Sequence, residues 1–146
     1  MLIDKIQEDL KQSQLRRDEI KTSTLRLLLS EVKNAQIAKG GDLSDEEVII
    51  IAQKEVKKRS EAAAGFRLGG KEDQALKEEA ERKVLESYLP VQLSEEALTK
   101  IVEESIKELG ASSIQDMGRV MGMVMGKVKG QADGGVVSAL VKEKLS

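Results

Sequence analysis

Residues 118–135 read GRVMGMVMGKVKGQADGG, with glycine at 118, 122, 126, 130 and 134 and again at 135. The spacing of four is helical, yet glycine is the poorest helix former short of proline. A phosphate loop, a membrane pairing motif and a helix with one bare side are the three readings to separate. A Walker-type loop needs four residues between its glycines and a hydroxyl after the lysine. Here Gly122 and Gly126-Lys127 stand one residue too close, and Val128 follows. No G-x-G-x-x-G occurs. The membrane version needs an apolar segment of about 20 residues, and Arg119 and Lys127 interrupt this one. A helix remains. Wound at about 100° per residue, Met117, Val120, Met121, Val124, Met125 and Val128 form an apolar arc. Gly118, Gly122 and Gly126 are expected along one edge of it, with Arg119, Met123 and Lys127 on the remaining side. Interior glycines cost about 1 kcal/mol each against alanine. The expected compensation is close packing of a neighbouring helix backbone on Gly118, Gly122 and Gly126. The alternative is a ligand backbone admitted beside Arg119 and Lys127. Gly130 is expected in the left-handed conformation that ends the helix.

The rest of the chain is helical in pattern too. Ile3, Ile6 and Leu10 mark a first helix over about 2–16. Asp18 caps a second, whose apolar side reads Ile20, Leu27, Leu28, Val32 and Ala35 before Gly40-Gly41. Ser44 and Glu47 form a capping box ahead of a third that runs to Gly69-Gly70. A fourth stops before Pro90, the one proline in the chain. Beyond it Ser94, Ser113 and Asp133 cap three shorter helices, the last with Val136, Val137, Leu140 and Val141 as its apolar side. The expected class is all-α: a four-helix N-terminal subdomain over 1–92 and a three-helix bundle over 93–146.

Composition narrows function. The 146 residues are 40% hydrophobic and 34% charged, with net charge −2, no cysteine, no histidine, no tryptophan and one each of phenylalanine and tyrosine. Thiolate chemistry, the commonest general base, the usual zinc ligands and aromatic base-stacking platforms are therefore missing. No cofactor or metal is expected. No leader peptide or membrane span is visible in the sequence, and a cytoplasmic protein of bacterial type is the natural expectation. Charge is uneven along the chain. Residues 91–113 hold five acids against Lys100 and Lys107, whereas 114–146 hold Arg119, Lys127, Lys129, Lys142 and Lys144 against Asp116, Asp133 and Glu143. Lys54, Lys57, Lys58 and Arg59 have acids one turn away and read as an ion-paired helix face.

Three strings carry a family resemblance: Ala111-Ser112-Ser113, Asp116 to Gly122, and Lys127 to Gly134. They look like the YqeY family, whose C-terminal part is similar to the tail domain of GatB, a subunit of the tRNA-dependent amidotransferase. Leu85 to Ser94, LESYLPVQLS, also resembles the family's EYLPxQLS hinge. Gly126 departs from the pattern, because the family commonly has proline there. The resemblance implies an N-terminal helical part and a C-terminal three-helix bundle. It also implies kinship with a carbon–nitrogen ligase that uses glutamine as amido-N donor. In that enzyme the tail domain helps to hold tRNA while other domains do the chemistry. Autonomous catalysis is not expected, because no glutaminase nucleophile or nucleotide loop is present. The leading expectation is a non-catalytic accessory module that binds tRNA or another structured RNA. Arg119, Lys127, Lys129, Lys142 and Lys144 are its contacts, with close approach at Gly130. The alternative is a protein-interaction adaptor, with a partner in translation. Its surface would be the sixth helix, which holds four of the five methionines.

Overall fold

The computed structural model describes residues 1–146. It is all-α, as expected, with no strand. The elements are α1 (Leu2–Leu15), α2 (Glu19–Lys39), α3 (Asp45–Leu68), α4 (Glu72–Glu86), α5 (Glu95–Leu109), a 3-10 turn (Ile114–Asp116), α6 (Met117–Val128) and α7 (Gly134–Leu145). The chain forms two compact units, Met1–Leu89 and Pro90–Ser146, each with its own core.

In the first unit, Ile6 of α1, Leu25, Leu28 and Val32 of α2, Val48 and Ala52 of α3, and Leu85 of α4 pack together, joined by Leu43 and Tyr88. The Tyr88 hydroxyl donates to Asp9 at 2.6 Å, tying the end of α4 to α1. Burial and the neighbouring Asp9 carboxylate both push the phenol well above its ordinary pKa. Helix ends follow local chemistry. Asp18 accepts from the Lys21 N–H at 3.1 Å, and left-handed Gly40 (φ +79°) closes α2. Ser44 accepts from the Glu47 N–H at 3.2 Å. Glu47, however, takes the Lys39 ammonium at 2.7 Å and the Ser44 hydroxyl at 3.3 Å. A charged donor outcompetes a backbone N–H, so the capping box is made in one half only.

One sequence expectation changes here. On α2 the buried residues are Thr24, Leu25, Leu28 and Val32, whereas Leu27 is 52% and Ile20 38% exposed. The leucine run offers two adjacent stripes, and the stripe carrying Leu25 faces the core. The basic cluster on α3 is ion-paired at Lys58 and Arg59, as expected, and at Arg59 the pairing is largely buried. Arg59 bonds Glu55 and lies 3.7 Å from Glu81 of α4, with side-chain exposures of 11%, 8% and 11% respectively. Arg67 clamps the α3–α4 turn by bonding Glu72 and Glu79.

In the second unit, Leu98 and Val102 of α5, Val120, Val124 and Val128 of α6, and Val137, Leu140, Val141 and Leu145 of α7 close over Ala132. Val136, expected on the apolar side of α7, is instead 49% exposed. Ser94 caps α5 by accepting from the Ala97 N–H at 3.1 Å. Asp133 holds the N-cap position of α7 without a side-chain cap bond. The Leu93 N–H donates to the Gln131 carbonyl at 2.9 Å. The Gln92 amide donates to the carbonyls of Pro90 at 2.9 Å and Gly130 at 3.0 Å.

The two leucines of α2 give a direct check. Leu25→Ala should cost about 2–5 kcal/mol in denaturant melts, and Leu27→Ala should stay within about 0.5 kcal/mol of the parent. Equal losses would contradict this orientation of α2.

Candidate nucleic-acid interface

Helix α6 owes its orientation to the valines. Val120, Val124 and Val128 are fully buried, and Met117, Met121 and Met125 pack beside them at the core margin. The glycines stand two residues away from the valines, about 200° around the helix. They therefore lie opposite the core. Gly118, Gly122 and Gly126 are all exposed, and a Cβ built on any of them would meet nothing within 4 Å. The expected close packing of Gly118, Gly122 and Gly126 is thus wrong: the apolar arc centres on the valines, and no neighbouring helix reaches the glycine side. What the unit presents there is about 12 Å of helix backbone, eight residues at 1.5 Å each, with no side chain of its own row.

The cations around it are distributed unequally. Arg119 bonds Asp116 at 2.7 Å. Lys127 reaches across to α5, 3.1 Å from the Ser105 hydroxyl and 3.2 Å from Glu108. Lys144 pairs with Glu103 of α5 at 3.0 Å. Lys129 and Lys142 are exposed and make no ion pair. The structure therefore does not gather the five bases into one free cluster, because the acids of α5 engage two of them. Lys129 closes α6 in a left-handed conformation (φ +31°), followed by Gly130 (φ +82°). The Gly130 carbonyl is occupied by the Gln92 amide. Gln92 is a residue that charge and periodicity do not single out. Its one signal is its place within the Leu85–Ser94 string.

The start of this face is fixed by Asp116. Its carboxylate accepts from the backbone N–H groups of Ser112 at 3.0 Å and Ser113 at 3.3 Å. These bonds, with Arg119 second in weight, hold its pKa below the ordinary aspartate value. A lowered carboxylate pKa contributes stability that is complete above the unfolded-state value and is lost as pH falls through the folded one. Among the acidic side chains, no group of three or more is placed to hold a metal ion. No helix is long and apolar enough to cross a membrane.

Comparison with known proteins adds the family. The model for Yqey-like proteins matches residues 3–145, and the chain belongs to that family. It is 33% identical over 100 residues to Altered inheritance of mitochondria protein 41, mitochondrial, of Vanderwaltozyma polyspora, covering 66% of this chain and 54% of that protein. The Kluyveromyces lactis protein of the same name is 33% identical over 102 residues, 67% of this chain and 55% of its own. The chain spans about half the length of the curated relatives it matches. These relatives are named as mitochondrial proteins, which overturns the cytoplasmic expectation.

The open glycine face makes a signed prediction. Gly122→Ala enters empty space and removes part of glycine's helix penalty, so denaturant melts should show a gain of up to about 1 kcal/mol. A loss would restore the packing explanation. Asp116→Asn should flatten the acid limb of the C-terminal unit's stability, read by circular dichroism melts below the ordinary aspartate range. An unchanged acid limb would remove Asp116 from that role.

Proposed function

We propose that this YqeY-family chain is a non-catalytic accessory module that holds structured RNA, tRNA foremost, against the solvent face of α6 and the turn that follows it. The observation that carries this reading is the bare stripe at Gly118, Gly122 and Gly126, opposite the core and open to solvent. Three exposed glycines weaken a helix that has no internal use for them. A bare stripe lets a ribose–phosphate backbone approach the helix backbone, where 2′-hydroxyls can donate to helix carbonyls. Recognition of RNA duplexes by shape and 2′-OH contact needs no aromatic platform. Lys129 and Lys142 are free to meet phosphates. Arg119 and Lys127 are held in solvent-accessible ion pairs, and such pairs contribute only about 0–1 kcal/mol each. A phosphate can replace the carboxylate at small cost.

The similarity of the C-terminal strings to the amidotransferase tail domain supports the same reading. The carbon–nitrogen ligase kinship then describes the company such a module keeps and assigns no reaction to this chain.

Titration of total tRNA across salt concentrations tests the proposal. Affinity should fall steeply with salt. Lys129→Gln with Lys142→Gln should lower the slope of log K against log salt by roughly one unit for each phosphate no longer neutralised. Gly122→Leu should keep the fold, because its side chain points into solvent, and should abolish binding by filling the stripe. Wild-type affinity that is undetectable at low salt, or untouched by Gly122→Leu, would leave the stripe to a protein partner's helix instead.

A further inference from the structure

The N-terminal unit carries a second cationic feature, at the corner between α1 and α2. Residues 16–26, RRDEIKTSTLR, hold Arg16, Arg17, Lys21 and Arg26 against Asp18 and Glu19 in a chain that is acidic overall. Asp18 is occupied in capping α2. The corner presents a shallow hollow of ≈ 420 Å³, largely open to solvent, lined by Gln14, Arg17, Glu19, Thr22, Ser23 and Arg26. Glu19, Thr22, Ser23 and Arg26 fall at helical spacing on one side of α2, so a single helix face supplies most of the wall. Neither Arg17 nor Arg26 makes an ion pair, although acids elsewhere in this unit engage Arg59, Arg67 and Arg82.

Arg17 is also held in an unusual backbone conformation. Its φ is +57°, the left-handed region that long side chains rarely adopt. The turn is hydrogen-bonded as a helix terminus, with the Asp18 N–H on the Ser13 carbonyl at 3.0 Å and the Arg17 N–H on the Gln14 carbonyl at 3.2 Å. Glycine is the residue that this geometry favours, and glycine closes α2 and α5 in the same conformation. At the end of α1 an arginine stands there instead, and it lines the same concavity as Arg26. Strained backbone of this kind clusters at functional sites.

We propose that the α1–α2 corner is a phosphate-binding site. Arg17 and Arg26 supply guanidinium forks, whose planar donors match phosphate oxygens. The Gln14 amide is the neutral donor beside them, while the Ser23 hydroxyl donates to the Ile20 carbonyl at 3.1 Å. Glu19, the one acid in the wall, disfavours a densely charged ligand and suits a single phosphate group. The site belongs to the first unit and stands independently of the α6 face. The phosphate comes either from a small phosphorylated molecule or from a nucleic-acid backbone, and the test separates these sources.

The experiment is amide NMR on the intact chain, titrated with inorganic phosphate at constant ionic strength. Saturable shifts are expected at residues 14–26. Arg26→Gln and Arg17→Gly should each weaken binding by roughly tenfold, while Lys33→Gln, a charge removal elsewhere on α2, should leave it unchanged. Arg17→Gly should also melt at or above the parent temperature, because glycine relieves the left-handed strain. A structured RNA in a second arm assigns the source. If Arg26→Gln weakens RNA as well as phosphate, the group is a backbone phosphate; if it weakens phosphate alone, the ligand is a small molecule. Absence of saturable shifts, or equal losses in Lys33→Gln and Arg26→Gln, overturns the site.

Discussion

The second unit depends on one row of side chains. Val120, Val124 and Val128 repeat every four residues along α6 and are fully buried against α5 and α7. Short helices gain most of their stability from tertiary packing of one face, and little from propensity. That constraint is acute in α6, whose twelve residues include three exposed glycines. The valines compensate for them from the opposite side. They also set where everything else on the helix points: methionines at the core margin, glycines to solvent, and Lys127 toward α5. The connections around α6 serve the same end. Asp116 fixes the turn before it, and Gln92 with Leu93 fastens the turn after it.

The first unit is organised differently. Its hydrophobic core is ordinary in kind, but α3 and α4 also share arginine-centred pairs, one of them at Arg59 largely removed from water. Desolvation raises the Glu81 pKa, so this carboxylate is held in the fold at some electrostatic cost. Such pairs contribute little net stability when water has to be stripped from both partners. They do fix which side of α3 meets α4.

Much of the architecture is legible in the sequence because it is encoded locally. Asp18, Ser44 and Ser94 cap the helices that follow them, since capping needs only a side chain and the N–H three residues on. The all-α class follows from periodicity in the same way. The facing of α2 is not legible, because a run of three leucines offers neighbouring stripes and only tertiary packing selects one. The glycine stripe misleads for a related reason. Valine and methionine both count as apolar, so periodicity centres the arc between them; the valines alone are buried, and the glycines rotate from the edge to the outside. The pairing of Lys127 and Lys144 with acids of α5 depends on helix-to-helix placement. Local charge totals cannot reveal it. Nor does any sequence rule announce an arginine in a glycine's conformation at position 17.

Sulfur chemistry in this chain is confined by the same arrangement. With no cysteine, its methionines are its only oxidisable sulfurs, and four of the five lie on α6. Met117, Met121 and Met125 sit at the margin of the core, neither sealed from solvent nor free of packing. Conversion of a thioether to a sulfoxide turns a flexible apolar group into a polar one. Oxidation therefore strikes where α6 meets its core and loosens the valine row from its flank, whereas the first unit, whose single methionine is the exposed Met1, has no packed sulfur to lose. The two halves of the chain should therefore differ in their tolerance of peroxide, with sulfoxide reduction expected to matter for the second.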